Sequence, residues 1–207
     1  RKESSAASDV YKRQDFNLND QEKRNSISGD FAALARDLSE NEIWEEKHLF
    51  NNTDIKRMKD VEFCGTLILL YRQGIIDQTD QKPLNQAYED LQTGYTDAEN
   101  DKQHICDAII ELRKFIEDDE ILKFVKRKAQ LYTVFSVIFY LQREDENVTD
   151  VHVEKLKNFV KLYSVFDNDM DMDGKLSDEE KNIYDMLKKY KLASSEGLNK
   201  HLSLIHI

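Results

Sequence analysis

One proline, Pro83, and six glycines punctuate 207 residues, and this scarcity constrains the fold more than any other feature. A β-protein of this length needs many tight turns and the residues that make them. Long helices need few. The chain therefore reads as all-α, a multi-helix bundle of about seven or eight helices.

Periodicity and capping residues place those helices. Asn19 followed by Asp20, Gln21 and Glu22 reads as an N-cap with acids in the first turn, opening a short helix that Gly29 ends. Phe31, Leu34, Ala35 and Leu38 share one face of a second helix, 30–41. Trp44, Leu49 and Phe50 fall in a loop-like stretch that covers the core. Thr53 caps a helix over 54–73, and Gly74 stands where a left-handed C-terminal residue belongs. Pro83 suits the first turn of a helix over 83–94. Ile105, Ile109, Leu112 and Ile116 form the seam of 97–117. Residues 119–142 are apolar nearly all round in their second half, which predicts a helix at the centre of the bundle. Two more helices follow, 148–166 and 177–191, the last opened by a Ser177–Glu180 capping box.

Composition narrows the function. The formal charge is −11, whereas a protein that grips phosphate backbones over a broad surface is usually basic. Basic groups are local: KFVKRKAQ (123–130), and Lys188, Lys189 and Lys191. They read as wet helix faces before they read as phosphate contacts. Cys64 and Cys106 lie far apart without a CxxC spacing, which points to two free thiols in a reducing cytoplasm. The longest apolar run, near 131–141, is too short to span a bilayer, so no membrane partner is expected. Histidines have no zinc spacing, and no phosphate-cradling glycine loop is present. No pair of side chains reads as a catalytic couple. The head (1–14, containing DVYKRQ) and the tail (202–207, LSLIHI) resemble translated sequencing adapter. The expected unit is one helical domain, 15–201, cut from a longer protein.

One acidic stretch, DMDMDGKLSDEE (169–180), has calcium-loop spacing. With Gly174 at the sixth of twelve places, Asp169, Asp171 and Asp173 fall at one, three and five. Lys175 offers its carbonyl at seven, Ser177 stands at nine and Glu180 at twelve. Calcium takes six to eight hard oxygens on a flexible frame, and this spacing wraps them round one point. The flanks depart from the pattern: Asn168 precedes the loop, Lys181 follows it, and no second loop pairs with it. The other reading is a solvated loop whose Asp and Ser residues cap the next helix.

Four ordered stretches carry a resemblance. LNDQEKRN (18–25), GDF (29–31) with LARDLSEN (34–41), DIKRMKDVEF (54–63) and YKLASSEGLNK (190–200) resemble successive segments of the GmrSD-like family of modification-dependent restriction proteins. The matching residues are Leu18, Asn19, Gln21, Glu22, Arg24 and Asn25, then Arg57, Met58, Asp60 and Glu62. Such proteins begin with a ParB/sulfiredoxin-like domain carrying an Asp-Gly-Gln-Gln-Arg motif tied to nucleotide hydrolysis. Many end in, or work with, an HNH-type nuclease. The resemblance implies that this chain is the helical region between them, with nucleotide bound only upstream and DNA met through the whole protein. Neither motif occurs here, so no catalytic residue carries over. The matched residues would be structural or interdomain contacts; within them Arg57 and Asp60, three apart, are spaced to pair on one helix. The alternative function is a calcium-binding helical module.

Overall fold

The densest run of apolar side chains, in 128–143, lies along the centre, and the other described helices pack round it. The computed structural model describes residues 20–78, 80–166 and 178–196. Among the described residues there are eleven helices and no strand. They are α1 (Asp20–Arg24), α2 (Asp30–Ser39), α3 (Glu42–Glu46), α4 (Asn52–Lys56), α5 (Lys59–Gln73), α6 (Lys82–Asp90), α7 (Ala98–Ile116), α8 (Asp119–Val125), α9 (Lys128–Arg143), α10 (Asp150–Val165) and α11 (Asp178–Glu196). Eight have seven residues or more, which matches the number read from periodicity. The other three, α1, α3 and α4, are five residues each.

Two expected helices are broken. The 54–73 helix divides at Arg57–Met58, where Met58 takes a left-handed conformation (φ 56°, ψ 32°). Asn51, not Thr53, caps the first piece, accepting from the amides of Thr53 and Asp54 while Asp54 accepts from the Asn51 amide. The 119–142 helix divides at Lys126–Arg127, with Arg127 extended (φ −84°, ψ 130°). That break turns Phe124 of α8 toward Phe159 and Tyr163 of α10. It leaves α9 to run through the middle, burying Leu131, Val134, Phe135, Ile138 and Phe139.

Two aromatic groups flank α9. At one, Trp44 meets Phe50, Phe63 and Phe135 at ring separations of 5.6, 6.2 and 6.2 Å. The stretch expected to cover the core does so, with Trp44 on a short helix and its indole N–H donating to the Leu38 carbonyl at 2.8 Å. At the other, Tyr190 of α11 packs on Phe159 and Tyr163 at 5.2 and 5.6 Å, and its hydroxyl donates to Thr133 Oγ1 at 3.2 Å. Each large side chain so buried contributes about 1.5–3 kcal/mol.

Gly29 does not end α1; it stands at the N-cap position of α2. The amides of Asp30 and Phe31 donate to the carbonyls of Gln92 and Leu91 at 3.1 and 3.2 Å, and Asp30 accepts from the Tyr95 amide at 3.1 Å. Backbone lies against backbone here. A Cβ on Gly29 would stand 2.4 Å from the Gln92 carbonyl oxygen. The GDF stretch is therefore a docking motif. Cys64 is buried and Cys106 half-buried, both unbonded. No described helix is long and apolar enough to cross a membrane.

Candidate functional site

The stretches 18–25 and 54–63 meet in space. α1 turns two side chains inward, Gln21 and Arg24, and neither is apolar. The Arg24 guanidinium, 3% exposed, is enclosed by acceptors. Its Nε donates to Gln21 Oε1 at 2.9 Å, and one terminal nitrogen to Asn85 Oδ1 at 2.7 Å. The other terminal nitrogen donates to Glu62 Oε1 at 3.1 Å and Gln81 Oε1 at 3.0 Å. Its carbon stands 5.7 Å from the centre of the Tyr88 ring. Gln21 in turn donates to the Tyr88 hydroxyl at 3.0 Å. Burial pushes that hydroxyl above the ordinary tyrosine value, and the Gln21 hydrogen bond opposes the rise. Glu62 also holds Lys59 at 2.6 Å. One buried cation thus joins α1, α5 and α6 through four hydrogen bonds from its five N–H groups.

The remaining matched residues are placed as follows. Arg57 meets Glu22 at 3.3 Å, across thirty-five positions of sequence. It shares no helical turn with Asp60, because the chain bends at Met58 between them. Met58 is half-buried and packs against the core. Asn25 accepts from Arg36 at its carbonyl and its side chain, 3.2 Å each. Asp60 has a buried Oδ1 with no hydrogen-bond partner. Desolvation raises its carboxyl above the ordinary range, against the amides of Val61 and Asp60 and the more distant Lys128. Leu18 and Asn19 lie outside the described residues.

The calcium-spaced residues Asp169, Asp171, Asp173, Lys175 and Ser177, and the side chain of Glu180, also lie outside the described residues. The described backbone flanks them with α10, ending at Val165, and α11, starting at Asp178, so Glu180 falls in the first turn of α11. Among the described residues no three His, Cys, Asp or Glu side chains are grouped to hold a metal.

The basic groups divide. Lys123, Lys126, Arg127, Lys188 and Lys189 are exposed. Lys128 lies over the Phe50 ring at 3.8 Å and donates to the Leu49 carbonyl; Lys191 covers Tyr163 and Phe166 at 5.5 and 5.0 Å and donates to the Phe166 carbonyl. These two act as covers of apolar surface with a polar tip. A second polar fastening joins α5 to α7: buried Asp101 accepts from Arg72 at 2.7 Å and from the Tyr95 hydroxyl at 2.6 Å. The Cys64 thiol is fully buried, and desolvation pushes it well above its ordinary value, which makes it inert.

Gln81, Asn85 and Tyr88, which complete the Arg24 enclosure, escape sequence reading. Their spacing of four and three lines them up along α6 and the residue before it, but a polar face at helical spacing looks like any solvated surface.

The fold and this site define an all-α protein braced by buried polar fastenings. No protein-family model matches the chain, and no curated protein and no solved structure matches it.

Proposed function

We propose that this chain is the helical scaffold of a GmrSD-like restriction or defence protein, non-catalytic by itself. It would dock an upstream ParB-like, nucleotide-hydrolysing domain against an HNH-type nuclease part. The observation that carries the reading is the convergence of two stretches that bear the resemblance. Gln21, Glu22 and Arg24 meet Arg57 and Glu62 in one cluster, fitting structural residues that set how the preceding chain enters the bundle. Long-read sequencing of the locus tests it. A frame encoding Asp-Gly-Gln-Gln-Arg upstream is expected; its absence ends the proposal. Nucleotide turnover or DNA cleavage by the 207-residue chain alone would also overturn it.

A calcium-binding module is the second reading, favoured by the ligand spacing of 169–180 and by helices on both sides of it. Calorimetry decides. Binding no tighter than millimolar, unchanged by Asp171→Ala with Glu180→Ala, removes it. Binding lost in that variant establishes it.

A further inference from the structure

The Arg24 enclosure has an unusual division of labour. Nearly everything that recognises the guanidinium belongs to the body of the bundle: Glu62 on α5, Gln81 beside α6, Asn85 and Tyr88 on α6. The helix that supplies the arginine is five residues long and sends no apolar side chain inward. A helix so short has little stability of its own and depends on what it docks against. The polar contacts here fix which group sits in the site more than they add net stability, because a buried ion pair returns little beyond its own desolvation. The receptor side is built from one carboxylate, two side-chain amides and an aromatic face. That set matches the planar, forked donor pattern of a guanidinium and not the point charge of an ammonium.

We infer that the α5–α6 face is a guanidinium-binding site which the chain fills in cis with Arg24, and that an arginine presented on another helical segment, with glutamine three residues before it, can occupy the same place. Gln21 gives the ligand its second feature, bridging Arg24 to the Tyr88 hydroxyl from one helical turn earlier. The occupant in trans is therefore a Gln-x-x-Arg turn of helix. This inference stands apart from the scaffold reading and survives its failure.

Chemical rescue tests it on the full chain. Arg24→Ala empties the site; methylguanidinium is added at millimolar concentrations and thermal melting is followed. Wild type, whose site is filled, supplies the baseline response. The variant is expected to gain about 2–4 °C more than wild type once the ligand reaches about five times its Kd. Methylammonium should give no such gain, and Arg24→Ala with Glu62→Gln should abolish it. If Arg24→Ala does not melt cooperatively, Gln21→Ala is used with a peptide spanning residues 18–27. The peptide is then expected to displace α1 and speed amide exchange across residues 20–28. The inference is overturned if methylguanidinium stabilises Arg24→Ala no more than wild type. In the fallback experiment, unchanged exchange in the presence of the peptide overturns it equally.

Discussion

At the scale of single residues, two positions show local chemistry yielding to the surrounding fold. Gly29 has φ 155° and no room for a side chain, because a Cβ would stand 2.4 Å from one backbone atom of Gln92 and 2.7 Å from another. Backbone cannot move aside as a flexible side chain can. Gly29→Ala is therefore expected to cost about 3 kcal/mol, from overpacking and backbone strain together. Gly74 makes the control. Its φ is 84° and its ψ −162°, a region essentially only glycine adopts, but nothing lies within 4 Å of the added atom, so Gly74→Ala should cost only that backbone strain, about 2 kcal/mol. Denaturant titration of the two variants checks the ranking, and equal losses would discard the clash. Asp60 is the second position. Desolvation raises its carboxyl from the ordinary value of 3.8, so the folded chain holds that proton more tightly than the unfolded chain does. Stability contributed by the protonated form is present below 3.8 and is lost as pH rises through the higher folded value. Asp60→Asn, neutral throughout, should melt above wild type at pH 7, and the gap should close as pH falls toward 3.8. A gap that widens on acidification would contradict the assignment.

At the scale of elements, the chain ends α3 and α9 with a left-handed residue other than glycine. After α9, Asp145 takes φ 56°, and the amides of Asp145 and Glu146 donate to the carbonyls of Gln142 and Leu141 at 3.2 and 2.9 Å. This is the double hydrogen-bond pattern whose left-handed residue is usually glycine. His48 does the same after α3, at φ 49°, with the Leu49 amide donating to the Trp44 carbonyl at 2.9 Å. Asp145 is exposed, and its negative charge sits at the unfavourable end of the helix dipole. Asp145→Gly is expected to relieve about 1 kcal/mol of strain and raise the melting temperature by about 2–4 °C. These endings also explain what sequence reading misses. Helices closed by Gly or opened by Pro, such as α5 at Gly74 and α6 at Pro83, are legible because those residues have strong backbone preferences. The breaks at Met58 and at Lys126–Arg127 use residues that are ordinary inside helices. There the bend is set by where Phe124, Val61 and Phe63 must go to be buried, which local propensity does not encode.

At the scale of the whole molecule, the all-α class, the central place of 131–141 and the core seams are read from periodicity, because burial repeats along each helix. The Arg24 site is read by half. Its α1 and α5 members lie in two of the stretches singled out from the sequence, whereas Gln81, Asn85 and Tyr88 join them only when α6 folds back beside α5. The same long-range packing predicts that the described helices unfold as one cooperative unit, and the single tryptophan can report it. Trp44 and Tyr190 lie in different aromatic groups, yet both touch α9: Trp44 through Phe135 at 6.2 Å, Tyr190 through Thr133 at 3.2 Å. Tyr190 is 1% exposed, and Tyr190→Ala should cost about 3–5 kcal/mol, as truncating a large buried side chain does. If α9 couples the two ends, the midpoint seen by Trp44 fluorescence falls by as much as the midpoint seen by far-ultraviolet circular dichroism, roughly 10 °C in both. If α10 and α11 instead melt as a separate unit, the dichroism curve splits into two steps and the Trp44 midpoint stays where wild type has it. Coincident curves would show that the helix at the centre carries a loss at one end of the bundle to the other.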